Sequence, residues 1–189
     1  MPLAASDEQV DLSLIEHRAP TVAHLFVDRV AKTPDTEAFR FPSGDDWESV
    51  TWFEVHARVR QIAAGLVALG VESEQRVGIA SSTRYEWVIA DLAVMLAGAA
   101  TTAIYPTTSE SDVTYIVADS QSGIVFAEDD AQIAKLRANR AQLPEVVKVV
   151  TFDGTADGDW VISLADLEQL GEEHLAQAPS AVEDRTATI

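Results

Sequence analysis

The chain has 189 residues, 47% of them hydrophobic, with no cysteine and a formal charge of −18 at pH 7. That length supports one sizeable core, and the apolar content excludes wholesale disorder. The missing cysteines remove disulfide frameworks and thiolate metal sites, while the excess acid argues against nucleic-acid phosphate and anionic membrane as partners.

Met1 to Ala19 shows little periodicity and is expected to be a mobile arm, with one contact through Leu12, Leu14 and Ile15. No basic, apolar, small-residue leader opens the chain, so a cytoplasmic location is expected. A helix is predicted after Pro20, capped by Thr21, with Val22, Leu25, Phe26 and Val30 on one face and Thr33-Pro34 at its end. Ala38 to Phe41 and Trp47 to Thr51 are β-type runs around Gly44, a hairpin signature. Thr51-Trp52-Phe53-Glu54 is a capping box, and the helix it opens carries an apolar stripe of Val55, Val59, Ile62, Leu66 and Leu69 before Gly70. Glu54, Arg58 and Arg60 lie off that stripe, which suits a helix packed on a sheet.

Arg76 to Pro106 is the organising stretch. An apolar run (Val77, Ile79, Ala80) leads through Ser81, Ser82, Thr83 and Arg84 into a helix from Tyr85 to Leu96, whose only charges are Glu86 and Asp91. Gly98 closes the helix, and a β-type run from Thr101 to Tyr105 stops at Pro106. Strand, helix and strand in roughly thirty residues is the length of a right-handed βαβ crossover. The apolar stretch Trp87 to Ala103, broken by Asp91, is too short for a membrane span.

The pattern then repeats. Ser109 caps a helix holding Val113, Ile116 and Val117, which Gly123 should end, and Ile124 to Ala127 is a buried strand. A helix from Asp130 to about Gln142 buries Ile133, Leu136 and Leu143, and Val146 to Phe152 is another strand. The fold class predicted is therefore α/β, a mostly parallel sheet with helices on both faces. From Asp153 the composition turns acidic, predicting a solvated, less tightly packed end. It holds a helix from Ser163-Leu164-Ala165-Asp166, a linker from Ala176 to Arg185, and an incipient strand from Thr186 to Ile189. The division expected is an arm over 1–19, an α/β unit over 20–152 and an acidic helix and linker over 153–189.

No catalytic constellation stands out. The glycines form neither a phosphate-loop nor a dinucleotide pattern, and His17, His24, His56 and His174 lack metal-ligand spacing. His24 with Asp28 reads as an exposed helical pair, and the doublets Asp45-Asp46 and Asp129-Asp130 read as turns or helix starts. Parallel sheets collect ligands beyond their strands' carboxyl ends. Here that rim is Ser81 to Arg84, Tyr105 to Ser109, and Glu128-Asp129. The middle segment, neutral and rich in hydroxyls, suits a phosphate- or thiol-bearing ligand; on the plainer reading Ser109 only caps its helix and Pro106 only ends its strand.

Several segments in fixed order resemble the N-terminal part of adenylate-forming, AMP-binding ligases, above all long-chain fatty-acid–CoA ligases. They are Val50 to Glu54 with Ala63 to Leu66 and Leu69-Gly70-Val71; Arg76 to Ile79 with Arg84 to Trp87; and Leu96 to Ala99 through Tyr105-Pro106-Thr107, Tyr115-Ile116 and Ser120. The match runs from about Thr21 to Phe152. The resemblance implies an enzyme that uses ATP and Mg2+ to make an acyl-adenylate and then a thioester with coenzyme A. The family's phosphate loop, magnesium-binding glutamate, adenine-binding segments and lysine-bearing lid have no counterpart in these residues. The chain is therefore expected to be an N-terminal fragment, inactive alone, whose missing phosphate-loop strand would follow. The resemblance places only Tyr105, Pro106, Thr107 and Thr108 near the coenzyme A path. A fatty-acyl-AMP ligase or peptide-synthetase adenylation fragment, and a stand-alone non-enzymatic α/β binding module, remain alternatives. Homo-oligomerisation and membrane association of the intact enzyme stay open.

Overall fold

Short apolar strands separated by helices satisfy their backbones and bury their side chains only in a sheet covered on both faces. A computed structural model of the chain describes residues 13–16 and 18–188. It opens with α1 (Ser13–Glu16), α2 (Val22–Lys32) and a hairpin of β1 (Glu37–Ser43) and β2 (Asp46–Thr51). Then come α3 (Trp52–Ala68), β3 (Arg76–Ala80), α4 (Tyr85–Leu96), β4 (Ala100–Ile104), α5 (Glu110–Asp119), β5 (Ile124–Ala127) and α6 (Asp130–Ala138). After a 3-10 turn, β6 (Lys148–Thr151), β7 (Val161–Ser163), α7 (Leu164–Gln177) and α8 (Ala181–Thr186) follow. The last five strands form one sheet in the order β4-β3-β5-β6-β7, with every neighbouring pair parallel.

Alternation along the strands feeds two cores. Val77, Ile79, Ile124, Phe126, Val150 and Ile162 face α3, α4 and α7, whereas Ala80, Val125, Val149 and Val161 face α5 and α6. No helix among the described residues is long and apolar enough to cross a membrane.

The local start signals work as expected. Thr21 Oγ1 accepts from His24 N, and the Thr51–Glu54 box is complete: Glu54 N donates to Thr51 Oγ1 at 3.3 Å, and Thr51 N donates to Glu54 Oε2 at 2.8 Å. Gly44 turns the hairpin and Gly98 ends α4, both at positive φ. The stripe of α2 departs from expectation: Phe26 is buried, but Val22 and Leu25 stay 52% and 59% exposed. Gly123 does not end α5, which closes at Ser120 with Gln121 at φ 54. The helix expected to reach Gln142 breaks at Asn139.

The acidic end differs most. It is packed, not loose, because its acids occupy the outer side of α7 while Leu164 and Leu167 are buried. Ala64 of α3, on the side away from the expected stripe, is fully covered too, as are Ala63 and Gly65 on its flanks. A methyl group at Gly171 would lie 1.8 Å from the Gln61 carbonyl oxygen, and one at Gly65 2.4 Å from that of Leu167, so the contact is backbone on backbone. Arg58 Nε reaches Glu168 Oε1 across it at 2.7 Å.

Where a linker was expected, α8 docks through Val182, 3% exposed, and through Arg60 Nε to Glu183 Oε1 at 2.6 Å. Where a strand was expected to begin, Thr186 completes α8 and donates its hydroxyl to Val182 O at 3.0 Å. Residues 1–12, His17 and Ile189 lie outside the described residues, and with them most of the expected arm.

Gly171→Ala should destabilise the chain by about 3 kcal/mol, at the top of the range for overpacking, because backbone, not a flexible side chain, must yield. Urea denaturation with an unchanged slope checks this; a loss under about 1 kcal/mol would show that α7 is not seated on α3.

Candidate functional site

The strand order places the crossover reversal beside β3. The β3–α4–β4 unit moves to one side, and the next connection returns over β3 to β5. Ligand crevices in such sheets open at the carboxyl ends flanking that reversal. Here those ends carry the Ser81 to Arg84 loop after β3 and Glu128 after β5.

That crevice is closed by the chain's own carboxylate. Glu128 accepts from Ser82 N and from Ser82 Oγ, each at 2.7 Å. Arg84 bonds Glu86 at 2.6 Å, approaches Glu128 at 3.9 Å, pairs with Asp153 and lies 5.9 Å from the centre of the Phe152 ring. One guanidinium thus ties the loops after β3, β5 and β6 together. Partial burial would push the Glu128 carboxyl up, but the two Ser82 bonds and the Arg84 charge outweigh it and hold the group below its ordinary range. Three carboxylates thus surround one cation on this part of the rim.

The second rim segment is open. Tyr105 to Thr108 form a tight turn, with Thr108 N donating to Tyr105 O at 3.0 Å. Lys135 of α6 pins it: Nζ donates to Pro106 O at 2.7 Å, Thr108 O at 2.9 Å and Gln132 Oε1 at 3.1 Å. Gln132 Nε2 adds a bond to Pro106 O at 3.2 Å. The carbonyls are consumed underneath, while Tyr105, 78% exposed, and Thr107 face outward. Ser109 accepts from Asp112 N at 3.2 Å, so its plain role as a cap is met.

The four residues singled out in the sequence therefore share one turn. Gln132 and Lys135 were missed, because nothing in linear spacing brings α6 to residue 106. Two larger cavities among the described residues lie elsewhere. One of 610 Å³ is a groove between α3 and α7 lined by Glu168, Glu172 and Glu173, and one of 590 Å³ lies by the hairpin, where Phe41 stacks on Tyr85 at 4.2 Å. No group of three or more His, Asp or Glu residues among the described residues could hold a metal ion.

Glu128 provides a pH test. Its folded-state pKa lies below its unfolded value, so its contribution is present at neutral pH and lost as pH falls from about 5 through the folded value. Glu128→Gln should flatten the fall in stability over that window, measured by urea midpoints at successive pH values; an unchanged slope would show that the Ser82 bonds do not form.

The AMP-binding enzyme family model matches residues 26–189. A long-chain-fatty-acid–CoA ligase, FadD15, of Mycobacterium bovis is 35% identical over 131 residues, covering 68% of this chain and 22% of the relative. Another named heimdall, from Drosophila melanogaster, is 33% identical over 138 residues, covering 71% of this chain and 20% of the relative. The chain thus spans about a fifth of the length of these curated relatives, and it matches their N-terminal region. Among solved structures, a putative long-chain-fatty-acid CoA ligase from Rhodopseudomonas palustris aligns with a TM-score of 0.68 and 24% identity, over 78% of this chain and 36% of that one. The anthranilate CoA ligase AuaEII, bound to anthranoyl-AMP, aligns with a TM-score of 0.66 and 18% identity, over 78% and 26%. At those identities the structural likeness carries the fold, and the family match carries membership. The chain belongs to the AMP-binding enzyme family.

Proposed function

We propose that this chain is the N-terminal α/β portion of a long-chain fatty-acid–CoA ligase. The intact enzyme uses ATP and Mg2+ to convert a fatty acid to its acyl-adenylate, then passes the acyl group to coenzyme A as a thioester. The observation that carries this reading is the family match over residues 26–189, with long-chain fatty-acid–CoA ligases as the curated relatives. No ATP or magnesium ligand is assigned to these residues, because the family's phosphate loop and magnesium-binding glutamate have no counterpart in them.

Within that reading, the Tyr105-Pro106-Thr107-Thr108 turn lies along the coenzyme A path. The support is physical: a turn clamped from below by Lys135 offers a fixed surface, with a phenol and a threonine side chain outward. Such a surface suits the pantetheine arm, whose amides need hydrogen-bond partners and whose methylene groups need apolar contact. The turn binds and orients, and no proton or covalent step is assigned to it.

Two outcomes follow. The 189-residue chain alone should show no ATP–pyrophosphate exchange with palmitate, and exchange above background would overturn the assignment of the ATP site to residues outside this chain. In the intact enzyme, Thr107→Trp should slow thioester formation by about tenfold while leaving adenylation within about twofold. Single-turnover assays of each half-reaction separate the two, and equal losses in both would remove the turn from the coenzyme A path. Transfer of the acyl group to a carrier protein in place of coenzyme A would overturn the ligase reading itself.

A further inference from the structure

Three side chains on one face of α6 grip the loop between β4 and α5. Gln132, Lys135 and Asn139 stand at i, i+3 and i+7, the spacing that stacks residues along a single helical face. Gln132 and Lys135 bond the carbonyls of the turn, and Asn139 Nδ2 donates to Glu110 Oε1 at 2.8 Å, where α5 begins. The helix is itself tied at its start, where Asp130 accepts from Thr155 N at 2.7 Å and Thr155 Oγ1 at 3.1 Å. Gln132 is 5% exposed, and both ends of its amide are used: Nε2 donates to Pro106 O, and Oε1 accepts from Lys135 Nζ.

Lys135 is the centre of this grip. An ammonium has three protons and no acceptor, and here all three go to neutral oxygens. None remains for a ligand, so the residue acts on whatever meets the turn through the turn itself. Proline has no amide to donate, and the turn has one internal backbone bond, Thr108 N to Tyr105 O. Without the ammonium, the Pro106 and Thr108 carbonyls lose their shared partner and the four residues gain conformations. A segment that must order itself around a ligand adds that entropy to the binding step, whereas one already ordered does not.

We propose that Lys135 is a positioning residue for thioester formation, holding Tyr105 to Thr108 in the shape that receives the pantetheine arm. No contact with substrate is assigned to it, and its loss acts on the affinity for coenzyme A more than on the rate of transfer. Charge alone does not suffice. An arginine keeps the charge, but its rigid planar fork does not aim three protons at oxygens gathered around one nitrogen. The inference rests on the coenzyme A reading of the turn.

The test has two arms. In the 189-residue chain, Lys135→Met should speed amide hydrogen exchange at Thr108 by at least about tenfold, with the Val125 and Val149 amides of the sheet unchanged. The sequence has no cysteine, so Lys135→Cys provides a single thiol. Bromoethylamine converts that thiol to a lysine analogue with sulfur in place of one methylene, and slow exchange should return; Lys135→Arg should not restore it. In the intact enzyme with palmitate and ATP, Lys135→Met should raise KM for coenzyme A about tenfold and lower kcat by no more than about twofold. ATP–pyrophosphate exchange should change far less than that KM. Unchanged exchange at Thr108, equal losses in both half-reactions, or an arginine variant that matches the lysine enzyme would overturn the proposal. If Thr107→Trp slows thioester formation while Lys135→Met leaves the coenzyme A KM alone, this inference fails and the coenzyme A reading stands. If neither substitution touches the thioester step, both fail.

Discussion

The closest constraint in the molecule is the backbone contact between α3 and α7. Gly65 and Gly171 sit where any side chain would run into the opposite helix's carbonyls, at 2.4 Å and 1.8 Å. Only hydrogen fits, so the two helices approach closely, and α3 is buried on a second side. Dispersion rises steeply with such proximity. Seating α7 also fixes the strand before it: β7 has only three residues, too few to hold a place by itself, yet it pairs with β6 because Ser163 at once caps α7. The sheet's fifth strand therefore depends on a helix contact on its far side.

From that sheet follows the division of the rim. The reversal of strand order beside β3 creates the position where such folds usually admit an anion, and this chain fills it with Glu128. A carboxylate held by a backbone amide, a hydroxyl and a nearby guanidinium needs no further ligand. Electrostatics therefore moves interest one strand outward, to the turn after β4. There Lys135 spends its three donors on two carbonyls and an amide oxygen, leaving the outer groups of the turn free. The same kind of bond closes one part of the rim and presents another.

Much of the fold was legible because its signals are local. The Thr51–Glu54 box, the Thr21 and Ser109 caps, and the apolar helix from Tyr85 to Leu96 each follow from a few adjacent residues, and each stands where expected. What failed depended on distant partners. Acidity near the C-terminal end suggested slack packing, yet Leu164 and Leu167 lie between those acids and bury fully enough to dock the helix. Thr186 looked like a strand residue from its neighbours' β character, but its hydroxyl finds Val182 O and Leu96 O, which only the docked α8 supplies. Gly171 carried no sequence signal, because its role is defined by Gln61, a residue on another helix.

The candidate site shows the same limit in a sharper form. Sheet geometry marked Tyr105 to Thr108 as rim, and the structure places all four in one turn. What makes the turn a defined surface is Lys135, which reads in the sequence as an ordinary exposed helix residue. A lysine on a free helix face would keep its ammonium in water, since hydration of that point charge is strong. Here it exchanges water for three oxygens, two of them carbonyls of a turn that would otherwise depend on its single internal bond. The exchange holds because the carbonyls converge from below, which requires α6 to lie against the carboxyl end of β4. That placement in turn requires β5 to sit on the opposite side of β3 from β4. The rigidity of the turn is thus a property of strand order, and it appears only once the crossover over β3 has been made.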